Sequence, residues 1–315
     1  MELDEKVGMV LMLQKGTFIR PLLEDGSVTP LSPLRIRAEI FYHAVPFTKI
    51  LFMANLSLGL LALGWWVYSY VMQEGDKARN WRSRWRRIWV WAVWMACLFH
   101  WTSYLLRWYI GGRIPLGNGH ETMLFLAGFL LLCTCIWQRR FSFLLPTGLL
   151  LSGFTFLVAY LSEMNPQITP LMPVLLSPWL SLHVSLIMVS YALFALMCLC
   201  SILALSIRRH TWQRQRLTLF CRVLLYPAVL CLGIGIFIGA VWANVSWGSY
   251  WAWDPKEVWA LITFMLYGMA FHVQSIPRFR NPYFFHWFLI VSFSAILMTY
   301  FGVNYVLGGM HSYAG

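Results

Sequence analysis

Eight long apolar stretches constrain this chain more than any other feature of its sequence. A helix needs about 20 mostly apolar residues to cross the hydrocarbon core of a bilayer. Stretches of this kind lie near residues 48–72, 88–109, 122–138, 141–161, 178–206, 219–241, 256–274 and 284–307. Only 11% of the residues are charged and 59% are apolar, which excludes the composition of a soluble domain. The sequence therefore predicts an all-α, polytopic integral membrane protein with about eight transmembrane helices.

The charges of the connecting loops predict how the helices are oriented. Six basic residues lie in loop 73–87, and the later loops on the same side hold Arg139, Arg140, Arg208, Arg209, Arg214, Arg216, Arg222, Arg278 and Arg280. The opposite loops and the tail 308–315 hold Arg113 alone. By the positive-inside rule the basic side is cytoplasmic, so we expect a protein of the inner, cytoplasmic membrane with its C-terminus periplasmic. The net charge of +12 is then an orientation signal, and nucleic-acid binding loses its support.

Residues 1–44 form a separate segment on the predicted outer side. Glu24, Asp25 and Pro30 fall in turn-like sequence, and no signal peptide or earlier span is recognisable in this segment. We expect that it contacts a partner, or that the chain is the later part of a longer polypeptide. Residues 45–315 are predicted to form the transmembrane domain.

Tryptophan is concentrated in residues 242–259, here called the Trp-rich segment, between the sixth and seventh apolar stretches. It holds five tryptophans, whereas an interfacial belt spreads them over many loops. This concentration predicts a flat aromatic platform at the headgroup level. Asp254, Pro255 and Glu257 also form a helix-start pattern, so Asp254 is predicted to be at least an N-cap.

Two histidines, His183 and His311, are predicted at the depth of the Trp-rich segment. A lone histidine is more often a core residue, but two that flank a tryptophan cluster favour a bis-histidine haem site. His272 lies toward the inner end of the seventh stretch, where an ionisable residue is a functional hypothesis by default. The same functional hypothesis applies more weakly to His100 and His286.

These residues resemble a known family. The resemblance rests first on Trp247-Gly-Ser-Tyr-Trp251-Ala-Trp253-Asp254-Pro255-Lys256-Glu257, which is similar to the WWD signature of the haem-handling proteins of cytochrome c biogenesis. Three further segments are similar to the CcsA type of the System II pathway. They are Trp179-Leu-Ser-Leu-His183, Gly112-Arg-Ile-Pro-Leu-Gly-Asn-Gly-His-Glu-Thr122, and Tyr300-Phe-Gly-Val-Asn304-Tyr with the closing His311-Ser-Tyr. The resemblance runs from about residue 100 to the end of the chain.

The resemblance implies roles for individual residues. His183 and His311 match the outer axial ligands of the iron of haem b, and His272 matches an intramembrane ligand of haem iron. The positions that match the haem-facing loop are Trp247, Trp251, Trp253 and Asp254. Arg107, Arg113 and Lys256 are the outer-side cations available for the haem propionates.

The resemblance also implies partners and an activity. The family presents haem at the outer membrane face to apocytochrome c, whose CxxCH thiols add to the haem vinyl groups. The second intramembrane histidine belongs to a CcsB or ResB partner, supplied in trans or as the other part of a fused chain. Cytochrome c synthase (haem lyase) activity would then be shared with that partner.

The sequence leaves three other functional interpretations open. A b-type electron-transfer protein would hold haem permanently between facing histidines, beside a quinone pocket. A haem exporter would move haem without ligation. A structural scaffold would be indifferent to substitution of His183 or His311.

Overall fold

Every regular element in the described part of this computed structural model is a helix. The structure describes residues 7–10, 12, 32–71, 76–161, 167–168, 175, 177–206 and 211–307. The α-helices are α1 Pro33–Ala44, α2 Phe47–Val71, α3 Asp76–Gly111, α4 Gly119–Trp137, α5 Leu144–Leu161, α6 Pro178–Ser206, α7 Thr211–Trp247, α8 Pro255–Met269 and α9 Pro282–Leu297. A 3₁₀ helix, Pro277–Arg280, precedes α9, and a π-helix, Met298–Leu307, follows it. The predicted all-α membrane fold is confirmed.

Seven helices in the described residues are long and apolar enough to cross a membrane, one fewer than the sequence predicted. They are Phe47–Ser69, Arg84–Gly111, Gly119–Trp137, Leu144–Leu161, Pro178–Ser206, Gln213–Trp247 and Pro282–Asn304. The predicted stretch 256–274 instead contains α8, which has 15 residues. A helix of that length is about 22 Å long, less than the hydrocarbon thickness of about 30 Å.

The chain after α8 nevertheless returns to the end of the bundle from which α7 starts. Arg222, in the first third of α7, donates from Nη2 to the carbonyl oxygen of Phe279 at 3.0 Å, and Arg214 in the first turn of α7 donates to the hydroxyl of Tyr283. Since seven residues separate the end of α7 from the start of α8, segment 255–281 runs back along α7 at least as far as Arg222. We call the end of the bundle that carries the Trp-rich segment the Trp-loop end.

Two apolar cores hold the helices together. One is centred on α6, α7 and α9, and the other on α2 and α3, with α4 and α5 contributing to both. Glycines bring α2 and α5 into close contact, since a Cβ at Gly153 would lie 2.8 Å from the backbone nitrogen of Leu56. Small residues at helix contacts are a common means of close packing in membranes. The candidate site lies against the α6–α7 contact.

Helix α1 contacts the C-terminal end of α3. Ser32 caps α1 by accepting from the backbone N–H of Arg35, and the Nε of Arg35 donates to the carbonyl oxygen of Ile110 at 2.6 Å. Ile110 is one residue before the end of α3. Most of residues 1–31 lie outside the described residues, so the division at residue 44 stays a prediction.

Candidate functional site

A cavity of about 250 Å³ lies at the Trp-loop end of the bundle. It is enclosed by α4, α6, α7, α8, the π-helix and the loop before α8. The residues that carry the argument below are Asn118, His183, Trp242, Trp251, Lys256 and Tyr300. Each of the four segments that the sequence analysis singled out contributes to this lining, although they are far apart along the chain.

His183 is the histidine of this cavity, and its position depends on α7. Its Nδ1 lies 2.7 Å from the carbonyl oxygen of Gly235. Because a carbonyl can only accept, Nδ1 carries the proton and Nε2 is the nitrogen with the lone pair. Metal-bound histidines usually donate their other N–H in this way, which fixes the tautomer and the ring orientation. The local structure therefore suits an axial ligand of haem iron.

The predicted aromatic platform is only partly assembled at the cavity. Trp251 lines it, together with Trp242, which is 2% exposed. Trp247 and Trp253 are 47% and 73% exposed and do not line it. Each stands edge-on to a cavity tryptophan, at 6.1 Å between the ring centroids in both pairs. They therefore form an outer rim beside the cavity.

Asp254 is the N-cap of α8, as its sequence context predicted. It accepts from the backbone N–H of Lys256 at 2.9 Å, and its side chain is buried. Glu257 completes the capping box by accepting from the backbone N–H groups of Ala252 and Asp254. These two bonds fix both neighbours of Trp253, whose φ of 56° is in the left-handed region that few bulky residues adopt. Asp254 thus shapes the loop and does not line the cavity.

The three predicted outer-side cations have different surroundings. Arg107 donates from Nε to Oε1 of Glu121 at 3.0 Å, and Arg113 donates from Nη1 to Oε2 at 2.8 Å. Neither arginine lines the cavity, whereas Lys256 does. Burial lowers the pKa of Lys256 to about 8, against the opposing effect of the Asp254 charge. Of the three, the lysine is the cation at the cavity wall.

The π-helix lines the cavity through Thr299, Tyr300 and Asn304. The hydroxyl of Tyr300 lies 3.0 Å from Oγ1 of Thr122 and donates to the carbonyl oxygen of Gly119 at 3.3 Å. These contacts join the π-helix to the first turn of α4. Short π-helical segments are rare and are often found at functional sites.

None of the other histidines in the described residues lines this cavity. His272 is exposed in the turn that follows α8. His100 and His286 are fully buried, and His286 contacts the hydroxyls of Ser201 and Thr218 at 2.9 Å each. His311 lies outside the described residues, so its pairing with His183 stays a prediction.

Sequence reasoning missed Trp242 as a cavity residue, although a signal was present. Gly235, Gly239 and Trp242 are spaced i, i+4 and i+7, so they share one face of α7. That face meets His183, because a Cβ at position 239 would lie 2.5 Å from its imidazole. Two glycines on the face that carries Trp242 leave room for a side chain of a neighbouring helix, and this spacing was the signal.

Fold and cavity together define a class: a multi-pass membrane protein with a cavity at one end of its helices that histidine, tryptophan and lysine help to line. The family described as cytochrome c assembly protein matches residues 116–311, which is more than half of the chain. The chain belongs to that family. The matched range includes every cavity residue discussed above.

Named relatives agree with this membership. The chain is 38% identical over 229 residues to Protein NrfI of Wolinella succinogenes, covering 70% of this chain and 25% of that protein. It is 36% identical over 228 residues to the cytochrome c biogenesis protein CcsA of Chlamydomonas reinhardtii, covering 66% of this chain and 63% of that one. With CcsA of Prochlorococcus marinus the identity is 32% over 251 residues, covering 66% and 79%. The chain thus spans a quarter of the Wolinella protein and under two thirds of the Chlamydomonas one.

Proposed function

We propose that this chain binds haem b in the cavity at His183 and presents it for covalent attachment to the CxxCH motif of apocytochrome c. The observation that carries the proposal is the lining of the cavity. It combines an imidazole with a fixed tautomer, two tryptophan rings and a cation. A haem needs an axial nitrogen for its iron, an apolar surface for its ring and a positive charge for its propionates.

The donor set also suits an iron that already has equatorial ligands. Among the described residues, no three His, Cys, Asp or Glu side chains are grouped so that they could bind a metal ion by themselves. A porphyrin supplies four nitrogens, so the protein needs to add only axial ligands. His183 would be one of them, and we propose His311 of the tail as the other.

The size of the cavity supports an accessible haem. Its volume of about 250 Å³ is below the range of about 300–1,000 Å³ typical of sites that enclose small molecules. A haem in contact with His183 would therefore extend past the cavity, toward the rim formed by Trp247 and Trp253. An exposed edge is needed for the reaction of a vinyl group with a thiol, whereas a haem that only transfers electrons does not require an accessible vinyl edge.

Covalent attachment of haem requires the protein mainly to position the reacting groups. The haem vinyl groups and the cysteine thiols supply the reacting atoms, and addition of S–H across the C=C bond consumes no oxidant or reductant. His183, Trp251 and Lys256 would hold the ring so that its vinyl edge faces the incoming CxxCH segment. We propose that the synthase activity is shared with a CcsB/ResB-like membrane partner.

The proposal includes a membrane orientation and a route for haem. The Trp-loop end is proposed to face the periplasm, because the loops at the other end carry the basic residues. His272 is proposed to bind haem iron within the membrane, together with a histidine of the partner.

The test is an absorption spectrum of the protein purified in detergent with its co-expressed partner. We expect a reduced bis-histidine haem b spectrum in the wild type and its loss or shift in His183→Ala and in His311→Ala. His43→Ala, at an exposed position of α1, is the matched control and should leave the spectrum unchanged. Added imidazole should restore the spectrum of His183→Ala.

Two results would contradict the proposal. One is a well-folded wild-type complex that contains no haem, and the other is a spectrum that neither substitution affects. Maturation of a CxxCH reporter in cells without this chain would favour a haem exporter or a scaffold instead.

A further inference from the structure

We propose that Arg86 of α3, together with Arg139 and Arg140 of the turn between α4 and α5, binds the headgroup of an anionic phospholipid. These three arginines are called the basic corner here. The basic corner lies at the end of the bundle opposite the Trp-loop end, because α4 runs away from the cavity wall at Gly119 and ends just before the turn. It has no part in the proposed haem site, so its ligand is independent of haem.

A hydrogen bond brings the three arginines together. Nη2 of Arg86 donates to the carbonyl oxygen of Arg139 at 3.2 Å, although the two residues are 53 positions apart in the chain. This bond holds a guanidinium group of α3 against the backbone of the turn that also carries Arg140. All three side chains are exposed. The basic corner thus combines positive charge from two separate segments and presents it outside the protein.

The basic corner lies at the depth of the lipid headgroups. The apolar, membrane-crossing part of α3 begins at Arg84, that of α4 ends at Trp137, and that of α5 begins at Leu144. The three arginines are therefore at one boundary of the hydrocarbon core. Trp85, next to Arg86, is exposed, and tryptophan is enriched at this boundary. The phosphate groups of the lipids lie at the same depth, within reach of the arginine side chains.

Contacts within the protein fix the turn that carries two of the arginines. The backbone N–H groups of Arg140 and Phe141 both donate to the carbonyl oxygen of Trp137, at 2.9 Å each. The ring of Phe141 packs on Phe220 of α7, with 4.7 Å between the centroids. A segment that is already ordered loses little conformational entropy when a ligand binds.

A buried amide next to the arginines lacks a partner. Gln138 is 1% exposed, and neither its Oε1 nor its Nε2 forms a hydrogen bond with the described residues. Buried polar atoms without partners lower the stability of a protein. A headgroup bound at the adjacent Arg139 would bring oxygen atoms, or water held by them, close to this amide.

No carboxylate in the described residues neutralises the basic corner. The acidic side chains that the structure describes all lie toward the Trp-loop end, and they are Glu39, Glu121, Asp254 and Glu257. The ion pairs among the described residues are at that end as well. Three like charges that are held together repel one another, and an anion between them removes this repulsion.

An anionic phospholipid suits the basic corner better than a free phosphate ion does. The planar guanidinium group binds phosphate oxygens in pairs, and basic groups beside membrane-spanning helices attract anionic headgroups. Directly after Arg86, α3 exposes the apolar side chains of Ile88, Trp91 and Met95 toward the hydrocarbon core. The acyl chains of a lipid held at the basic corner would pack on this surface. A free phosphate ion would leave it unused.

The experiment measures lipid binding to the full chain purified in a neutral detergent. Phosphatidylglycerol and phosphatidylcholine are each titrated, and native mass spectrometry gives the dissociation constant of the first bound lipid. We expect phosphatidylglycerol to bind more tightly, because phosphatidylcholine has the same phosphate but no net charge. Arg139→Gln/Arg140→Gln should weaken phosphatidylglycerol by about 25-fold, at about 5-fold for each arginine, and leave phosphatidylcholine unchanged. Arg86→Gln, on the other segment, should weaken phosphatidylglycerol by about 5-fold.

Arg278→Gln/Arg280→Gln is the matched control, because these exposed arginines lie at the same end of the bundle but on one segment alone. It removes the same charge and should change the affinity for phosphatidylglycerol by no more than about 2-fold, since distant exposed charges are screened. Equal affinities of the two lipids for wild type would overturn the proposal. So would an equal loss in the two double variants, which would show a general attraction of this end for anions. Displacement of phosphatidylglycerol by inorganic phosphate at equal concentration would overturn it too, because the ligand would then be a free anion.

Discussion

Gly239 of α7 faces the imidazole of His183 so closely that no side chain can be accommodated between them. A Cβ atom at position 239 would lie 2.5 Å from both Nδ1 and Cε1 of the ring. One turn earlier on α7, the carbonyl oxygen of Gly235 contacts the same Nδ1 at 2.7 Å. The surface of α7 thus provides both the space and the hydrogen bond that define where the histidine lies.

Gly239→Ala should displace His183 and abolish or shift the haem spectrum of the complex. A methyl group at 2.5 Å from ring atoms forces the imidazole into another rotamer or separates α6 from α7. The absorption spectrum of the purified complex is the measurement. Gly268→Ala is the control, because a Cβ there has nothing within 4 Å. An unaltered spectrum in Gly239→Ala would contradict the assignment of His183.

His286 should act in stability and not in haem binding. The hydroxyl of Thr218 donates to the carbonyl oxygen of Arg214, so Nε2–H of His286 donates to Thr218, and Ser201 donates to Nδ1. Both ring nitrogens are therefore used to join α6, α7 and α9.

His286→Ala should lower the free energy of unfolding by about 1–3 kcal/mol, because it leaves two buried hydroxyls without this partner. The midpoint of thermal unfolding in detergent measures the effect, with Ser201→Ala as a milder comparison. A variant that keeps its stability and loses a haem band would show that His286 is a ligand after all.

The transmembrane helices were predictable because the length of an apolar run is a local property of the sequence. The residues at which the helices start and end were less predictable. The second and sixth apolar stretches were predicted from residues 88 and 219, whereas α3 starts at Asp76 and α7 at Thr211. Hydropathy reports the part of a helix that lies in lipid, and basic residues continue the same helix beyond it. The seventh stretch was overestimated, because the helix ends at Met269, next to Gly268, and glycine is a weak helix former.

The sequence predicted which motifs contribute to the site, but not how their residues are arranged in space. His183 and Trp251 were expected at a common site, and they line one cavity. The course of α7 and of the loop after it decides which tryptophans line the cavity. In the structure Trp242 lines the cavity and is buried, whereas Trp253 lies at the rim and is exposed. The sequence offered Arg113 and Lys256, with Arg107 as an addition, as cations for the propionates. In the structure Lys256 lines the cavity, whereas Arg107 and Arg113 are bound to Glu121 and do not line it.

Glu121→Gln should be strongly destabilising. It leaves Arg107, which is 1% exposed, beside a neutral amide, and removing one partner of a buried ion pair costs about 3–5 kcal/mol. The measurement is the unfolding midpoint and the yield of folded protein in detergent. Glu39→Gln, at a partly buried position of α1, is the control and should change stability by no more than about 0.5 kcal/mol. Equal behaviour of the two variants would contradict the buried network.

His272→Ala should separate the proposed intramembrane site from the site at His183. The side chain is exposed in the turn after α8, so its removal should leave the fold intact. If His272 binds haem iron together with a histidine of the partner, the variant complex should contain less haem and keep the spectrum that depends on His183. The double variant His183→Ala/His272→Ala should then contain none. A His272→Ala complex with wild-type haem content would contradict the intramembrane role.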